Sequence, residues 1–104
     1  MIYYIARTYG MVEIKRTVAP LTLKELQEIV GGNIEFAESK NGLTVCVNED
    51  GIGYGPINPF KLEMFHQNQF WGDIIIGKTV ETSEDRKFVG FEENEESYRL
   101  LFNT

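Results

Sequence analysis

Apolar and polar positions alternate every second residue through the middle of the chain. Leu43, Val45 and Val47 fall on one side and Thr44, Cys46 and Asn48 on the other, which predicts a pleated strand. Asn48-Glu49-Asp50-Gly51 follows as a tight turn, with a glycine free to take positive φ, and leads into a second short strand. Pro56 and Pro59 carry no N–H for a ladder, so pairing is expected to end near Gly55. Two β-rich runs, Ile2 to Arg7 and Met11 to Val18, flank Thr8-Tyr9-Gly10 and predict an N-terminal hairpin with Ile2, Tyr4 and Ala6 on one side. Asn33 to Ser39 reads as a strand with Ile34 and Phe36 opposite Glu35, turned by Lys40-Asn41-Gly42 into the central strand. Ile74-Ile75-Ile76 has no polar alternation and predicts the most buried strand, covered on both faces. Phe88 to Phe91 is a last short strand, and Thr79 to Lys87 reads as an exposed polar loop.

A period near 3.6 shows where Leu23, Leu26, Ile29 and Val30 form one apolar stripe and Lys24, Glu25, Gln27 and Glu28 face water. Thr22-Leu23-Lys24-Glu25 has the form of a capping box at its start, and Gly31-Gly32 supplies residues able to close it in the left-handed conformation. Phe60 to Phe65 fits a short helix or a structured loop, and Asn94 to Phe102 fits a terminal helix with Tyr98, Leu101 and Phe102 inward. The predicted architecture is α+β: a single small domain, residues 1–104, with an antiparallel or mixed sheet of about five or six strands and two or three short helices packed on it.

At 104 residues, 42% apolar and 25% charged, the chain has the size and composition of one ordinary folded domain. No apolar run approaches the length of a membrane span. The start, MIYYIARTYG, lacks a basic segment followed by an apolar block, and Cys46 is the single cysteine, so a cytoplasmic setting without disulfides is expected. The net charge of −6 argues against direct nucleic-acid binding, which depends on neutralising phosphates with Lys and Arg. Most of that charge sits between Glu81 and Glu96, where Glu81, Glu84, Asp85, Glu92, Glu93, Glu95 and Glu96 face only Arg86 and Lys87.

Catalytic ingredients are thin, and no cofactor or metal is implied. His66 is the single histidine and has no partner at ligand spacing, Asn48-Glu49-Asp50 lacks the alternating oxygens of a calcium loop, and Gly51-Ile52-Gly53-Tyr54-Gly55 follows a turn instead of joining a strand to a helix. Cys46, between two valines, reads as a small core residue. Two surfaces remain as candidates. Glu84, Asp85, Glu92, Glu93, Glu95 and Glu96 either solvate the fold or form a field of carboxylates for a basic partner. Tyr54, Asn58, Phe70 and Trp71 either fill a sheet face or stack and hydrogen-bond a nucleotide.

The order of Val30-Gly31-Gly32-Asn33-Ile34-Glu35, Gly42 to Gly51, Asn58-Pro59, Trp71 to Gly77 and Phe88-Val89-Gly90-Phe91 resembles an uncharacterised domain family over roughly residues 20 to 102. The resemblance implies phage, plasmid or conjugative-element biology in Firmicutes, often beside antirestriction or other anti-defence genes. The tyrosine-rich first strand and His66-Gln67-Asn68-Gln69 depart from it. Together with the acidic charge, it leads to the expectation of a non-enzymatic, anti-CRISPR-like inhibitor whose partner is a host defence protein such as a CRISPR effector nuclease. A nucleotide second-messenger sponge is the first alternative and a small enzyme of unknown reaction the second. Strand edges at Ile2 or Phe88 leave pairing into a homodimer open.

Overall fold

The structure, a computed structural model, describes residues 1–39, 42–53, 55–61 and 69–93. The N-terminal hairpin forms as its alternation predicts. Strands β1 (Ile2–Ala6) and β2 (Val12–Arg16) pair antiparallel from Ile2↔Arg16 to Ala6↔Val12. Leu21 then enters the core and the chain turns into α1 (Leu23–Val30). Its capping box is complete: the Glu25 N–H donates to the Thr22 hydroxyl, and the Thr22 N–H donates back to the Glu25 carboxylate. Gly31 ends the helix at φ 81°, a left-handed value that a side chain would strain, and its N–H donates to the Gln27 carbonyl.

Strands β3 (Ile34–Glu38) and β4 (Thr44–Asn48) follow, then the two-residue strands β5 (Ile57–Asn58) and β6 (Phe70–Trp71), and finally β7 (Ile74–Glu81) and β8 (Arg86–Val89). The main sheet runs β2-β1-β7-β4-β3, with β8 on the outer half of β7, and every pairing is antiparallel. β7 is the central strand expected from the isoleucine run. Ile74 and Ile76 join Ile2, Tyr4, Ala6, Leu43, Val45, Val47, Phe70 and Phe91 on one face, while Ile75 joins Tyr3, Ile5, Cys46 and the α1 residues Leu26 and Val30 on the other. Strict alternation along β1, β4 and β7 therefore feeds two separate cores, one on each face of the sheet.

Several expectations are corrected. The fold is a mostly antiparallel sheet with one short helix among the described residues, not an α+β domain with two or three helices. Part of the difference lies in Thr79 to Lys87, which is no loop. β7 runs on to Glu81 and β8 starts at Arg86, making a hairpin whose polar side chains hide its alternation. The Asn48–Gly51 turn forms, with the Gly51 N–H on the Asn48 carbonyl at 3.0 Å, but the residues after it do not pair back on β4. β4 is already flanked by β3 and β7, so β5 pairs with β6 in a separate small sheet. Of the two edges expected to be open, the one at Ile2 is closed, because β1 lies between β2 and β7, whereas β8, which carries Phe88, pairs among the described strands with β7 alone. A helix or loop over Phe60–Phe65 and the terminal helix over Asn94–Phe102 fall largely outside the described residues.

Candidate functional site

The acidic candidates do not form one patch. Glu84 and Asp85 lie in the turn that joins β7 to β8, while Glu92 and Glu93 follow β8 at its opposite end. The length of β8, at about 3.4 Å per residue, separates the two groups. Glu95 and Glu96 lie outside the described residues.

The turn is built by its own side chains. The Thr82 N–H donates to the Asp85 carbonyl at 2.8 Å, the Asp85 N–H donates to the Thr82 hydroxyl at 3.1 Å, and the Asp85 carboxylate accepts the Arg86 N–H at 2.8 Å. Pairing of Glu81 with Arg86 across the ladder then brings two more carboxylates to this end. The Arg86 guanidinium binds Glu38 on β3 and, at 3.1 Å, Glu81 on β7. Between β3, β4 and β7 lies an open hollow of about 190 Å³ bordered by Glu38, Ser39, Thr44, Thr79, Glu81 and Arg86. The hydroxyls of Thr44 and Thr79 hydrogen-bond across its floor at 2.8 Å. At the far end of β8, Glu93 is held by Arg16 of β2 at 2.6 Å.

The aromatic candidates are divided between core and surface. Phe70 is fully buried in the face that holds Ile74 and Ile76. Asn58 is 1% exposed and all of its amide hydrogen-bonding goes to the backbone: Nδ2 donates to the Ala6 carbonyl at 2.8 Å and to the Gly72 carbonyl at 2.9 Å, and Oδ1 accepts the Phe60 N–H at 2.9 Å. It ties the small sheet to β1. Trp71 is half-buried beside a cavity of about 40 Å³ shared with Val47, Asn48, Glu49 and Ile52, which holds a few waters at most. Tyr54 lies outside the described residues, as does His66. Cys46 is fully buried under α1, and burial pushes its thiol up to about 12.

One polar network was not anticipated. Arg7 grips Glu13 through Nε and Nη2 at 3.1 and 2.9 Å and reaches Asp73 through Nη1 at 3.0 Å, while the second oxygen of Asp73 accepts the Thr8 N–H at 3.0 Å. The hydrogen bonds from Arg7 hold the Glu13 carboxyl below its ordinary range, and those to Glu13 and Asp73 hold the guanidinium proton more tightly still. Arg7 and Glu13 occupy diagonal positions on one face of the first hairpin, a cross-strand relation readable once its register is fixed. The contact with Asp73 depends on β1 and β7 being neighbours and has no local signal. The network borders a groove of about 230 Å³ formed by Ala6, Met11, Val12, Asn58 and Phe60.

Among the described residues no three His, Cys, Asp or Glu side chains are arranged to hold a metal ion, and no helix is long and apolar enough to cross a membrane. The arrangement is a hairpin end rich in carboxylates, set on a sheet whose buried Ser39, Thr44, Asn48 and Asn58 side chains are hydrogen-bonded within the fold. The chain matches a family model, a domain of unknown function (DUF3846), over residues 4–103, and it belongs to that family. No curated protein and no solved structure matches it.

Proposed function

We propose that this protein is a non-enzymatic inhibitor, encoded by a phage or other mobile element, that acts in the cytoplasm of a bacterial host by occupying the basic surface of a defence protein such as a CRISPR effector nuclease. The observation that carries this reading is the gathering of Glu84 and Asp85 with Glu81 and Glu38 at one end of the β7–β8 hairpin. Arg86 neutralises only part of that group. A rigid hairpin end holding surplus carboxylates complements the Lys and Arg surfaces that nucleases present to phosphates, and such complementarity mainly sets association rate and partner choice. Glu92 and Glu93 extend the same charge to a second contact region at the other end of β8.

The non-enzymatic part is supported by the burial of Cys46, which takes the one thiol away from solvent. The nucleotide-sponge alternative receives less support, because the amide of Asn58 is spent on Ala6, Gly72 and Phe60 and Phe70 is enclosed.

The test is affinity capture from a lysate expressing several defence systems, at low and high salt, with mass spectrometry of retained proteins and of small molecules released on heating. A defence protein retained at low salt, released at high salt and not retained by the triple variant Glu81→Gln, Glu84→Gln, Asp85→Asn is the expected result. Asn at position 85 keeps an oxygen for the Arg86 N–H, so circular dichroism of the variant should be unchanged. A nucleotide released with no protein retained, or a partner equally well retained by the triple variant, would overturn the proposal.

A further inference from the structure

We infer that β2 is a self-complementary edge and that two copies of this chain associate by pairing their β2 strands antiparallel about Ile14. β2 ends the sheet, and among the described residues no strand lies beyond it. Which of its backbone groups point outward follows from the hairpin ladder. The Arg7 N–H donates to the Met11 carbonyl at 2.8 Å and the Thr17 N–H to the Met1 carbonyl at 2.9 Å, so residues 11, 13, 15 and 17 turn their N–H and C=O groups toward β1. Val12, Ile14 and Arg16 turn theirs away, onto the open edge. A second antiparallel strand must place its own outward-pointing residues opposite these, and a two-fold axis at Ile14 does so: Ile14 meets Ile14 of the second copy, and Val12 meets Arg16 of the second copy on either side.

The side chains agree with that register. Glu13 and Lys15 stand one residue to each side of Ile14 on the same face of the strand. With the axis at Ile14, each Glu13 falls opposite Lys15 of the second copy, in the closer, non-hydrogen-bonded positions of the ladder where opposite charges interact best. Glu13 also accepts two hydrogen bonds from Arg7 on the β1 side, so in the pair its carboxylate is shared between Arg7 and Lys15 of the second copy. Charged side chains and proline commonly blunt a sheet edge; here there is no proline, and the charges that flank Ile14 are of opposite sign in mirror order, which suits a second copy of the same strand. On the other face, Ile14 is 56% exposed and Val12 36%, and they continue the apolar row of Ile2, Tyr4 and Ala6. A second copy covers both. Arg16 keeps its side chain on Glu93 of its own copy, leaving its backbone for the ladder.

The full chain in sedimentation equilibrium over a wide concentration series should fit a monomer–dimer model, and a species that stays monomeric throughout would overturn the inference. Lys15→Glu places like charges opposite one another and should raise the dimer dissociation constant by about tenfold or more. Mixing Lys15→Glu with Glu13→Lys should restore association, as a heterodimer of the two variants, which a merely unfolded variant cannot do. The register is tested directly by Ile14→Cys. Hydrogen-bonded antiparallel pairs, of which Ile14 with Ile14 of the second copy is one in this register, have Cα atoms about 5.5 Å apart, within disulfide reach, so this exposed substitution should cross-link on mild oxidation. Val12→Cys, displaced from the axis by two residues in each copy, should not. Cross-linking of both variants, of neither, or a dimer indifferent to Lys15→Glu would overturn the proposed pairing.

Discussion

At the scale of single residues, the polar groups inside this protein are ties between segments. Asn58 is the clearest. Its three hydrogen bonds fix the β5–β6 sheet to the end of β1, and in Asn58→Ala the buried carbonyl of Ala6 and the part-buried carbonyl of Gly72 and N–H of Phe60 lose their partner. Leaving a buried backbone group unpaired costs about 1–3 kcal/mol, and the two part-buried groups can turn to water at little cost, so a loss of about 2–3 kcal/mol is expected, read as a fall in the urea midpoint at constant slope. A loss under about 1 kcal/mol would mean that water replaces the amide. Asn48 is a second tie: its Nδ2 donates to the Val30 carbonyl at the helix end and its Oδ1 accepts the Asp50 N–H. The sequence marks Asn48 as a turn residue and Asn58 as a candidate ligand contact, but neither role reveals the distant carbonyl that each amide serves. A side chain's reach across the fold has no periodicity.

At the scale of elements, patterns reveal faces better than neighbours. Alternation placed Val45 and Val47 opposite Thr44 and Cys46, and the isoleucine run marked β7 as central, because burial acts on each residue where it stands. It could not say that β4 lies between β3 and β7, since a strand buried on both sides accepts either neighbour. The β7–β8 hairpin is hidden for a different reason: outside the core all but Val80 of its positions are polar, Lys78, Thr79, Glu81, Arg86 and Lys87, and that polarity resembles a loop. Space adds a constraint there, because a Cβ on Gly77 would lie 2.5 Å from the Val89 carbonyl oxygen. The helix was legible at both ends, since its stop signals are local. Thr22→Ala removes the oxygen that caps the Glu25 N–H and should cost about 1 kcal/mol, with Thr22→Asp restoring most of it in the same unfolding measurement. If the alanine variant unfolds at the wild-type midpoint, α1 is held by Leu26 and Val30 alone.

At the scale of the whole molecule, acid should destabilise the fold through carboxylates that the folded state keeps charged. Hydrogen bonds from Arg7 lower the pKa of Glu13 from its ordinary 4.5, and the Thr22 N–H lowers that of Glu25. A group whose pKa is depressed on folding binds its proton more readily when unfolded. Its contribution is complete above the unfolded value and is lost as pH falls through the folded one. The window therefore opens near 4.5 and extends downward, and both groups are exposed enough that each effect is modest and screened by salt. Unfolding midpoints should be flat in this respect from neutral pH to about 5 and fall below it. Glu13→Gln should lower stability at neutral pH and make the acid fall shallower, so that the two curves converge at low pH. Parallel curves would mean that the bond between Arg7 and Glu13 is not the source of the acid sensitivity.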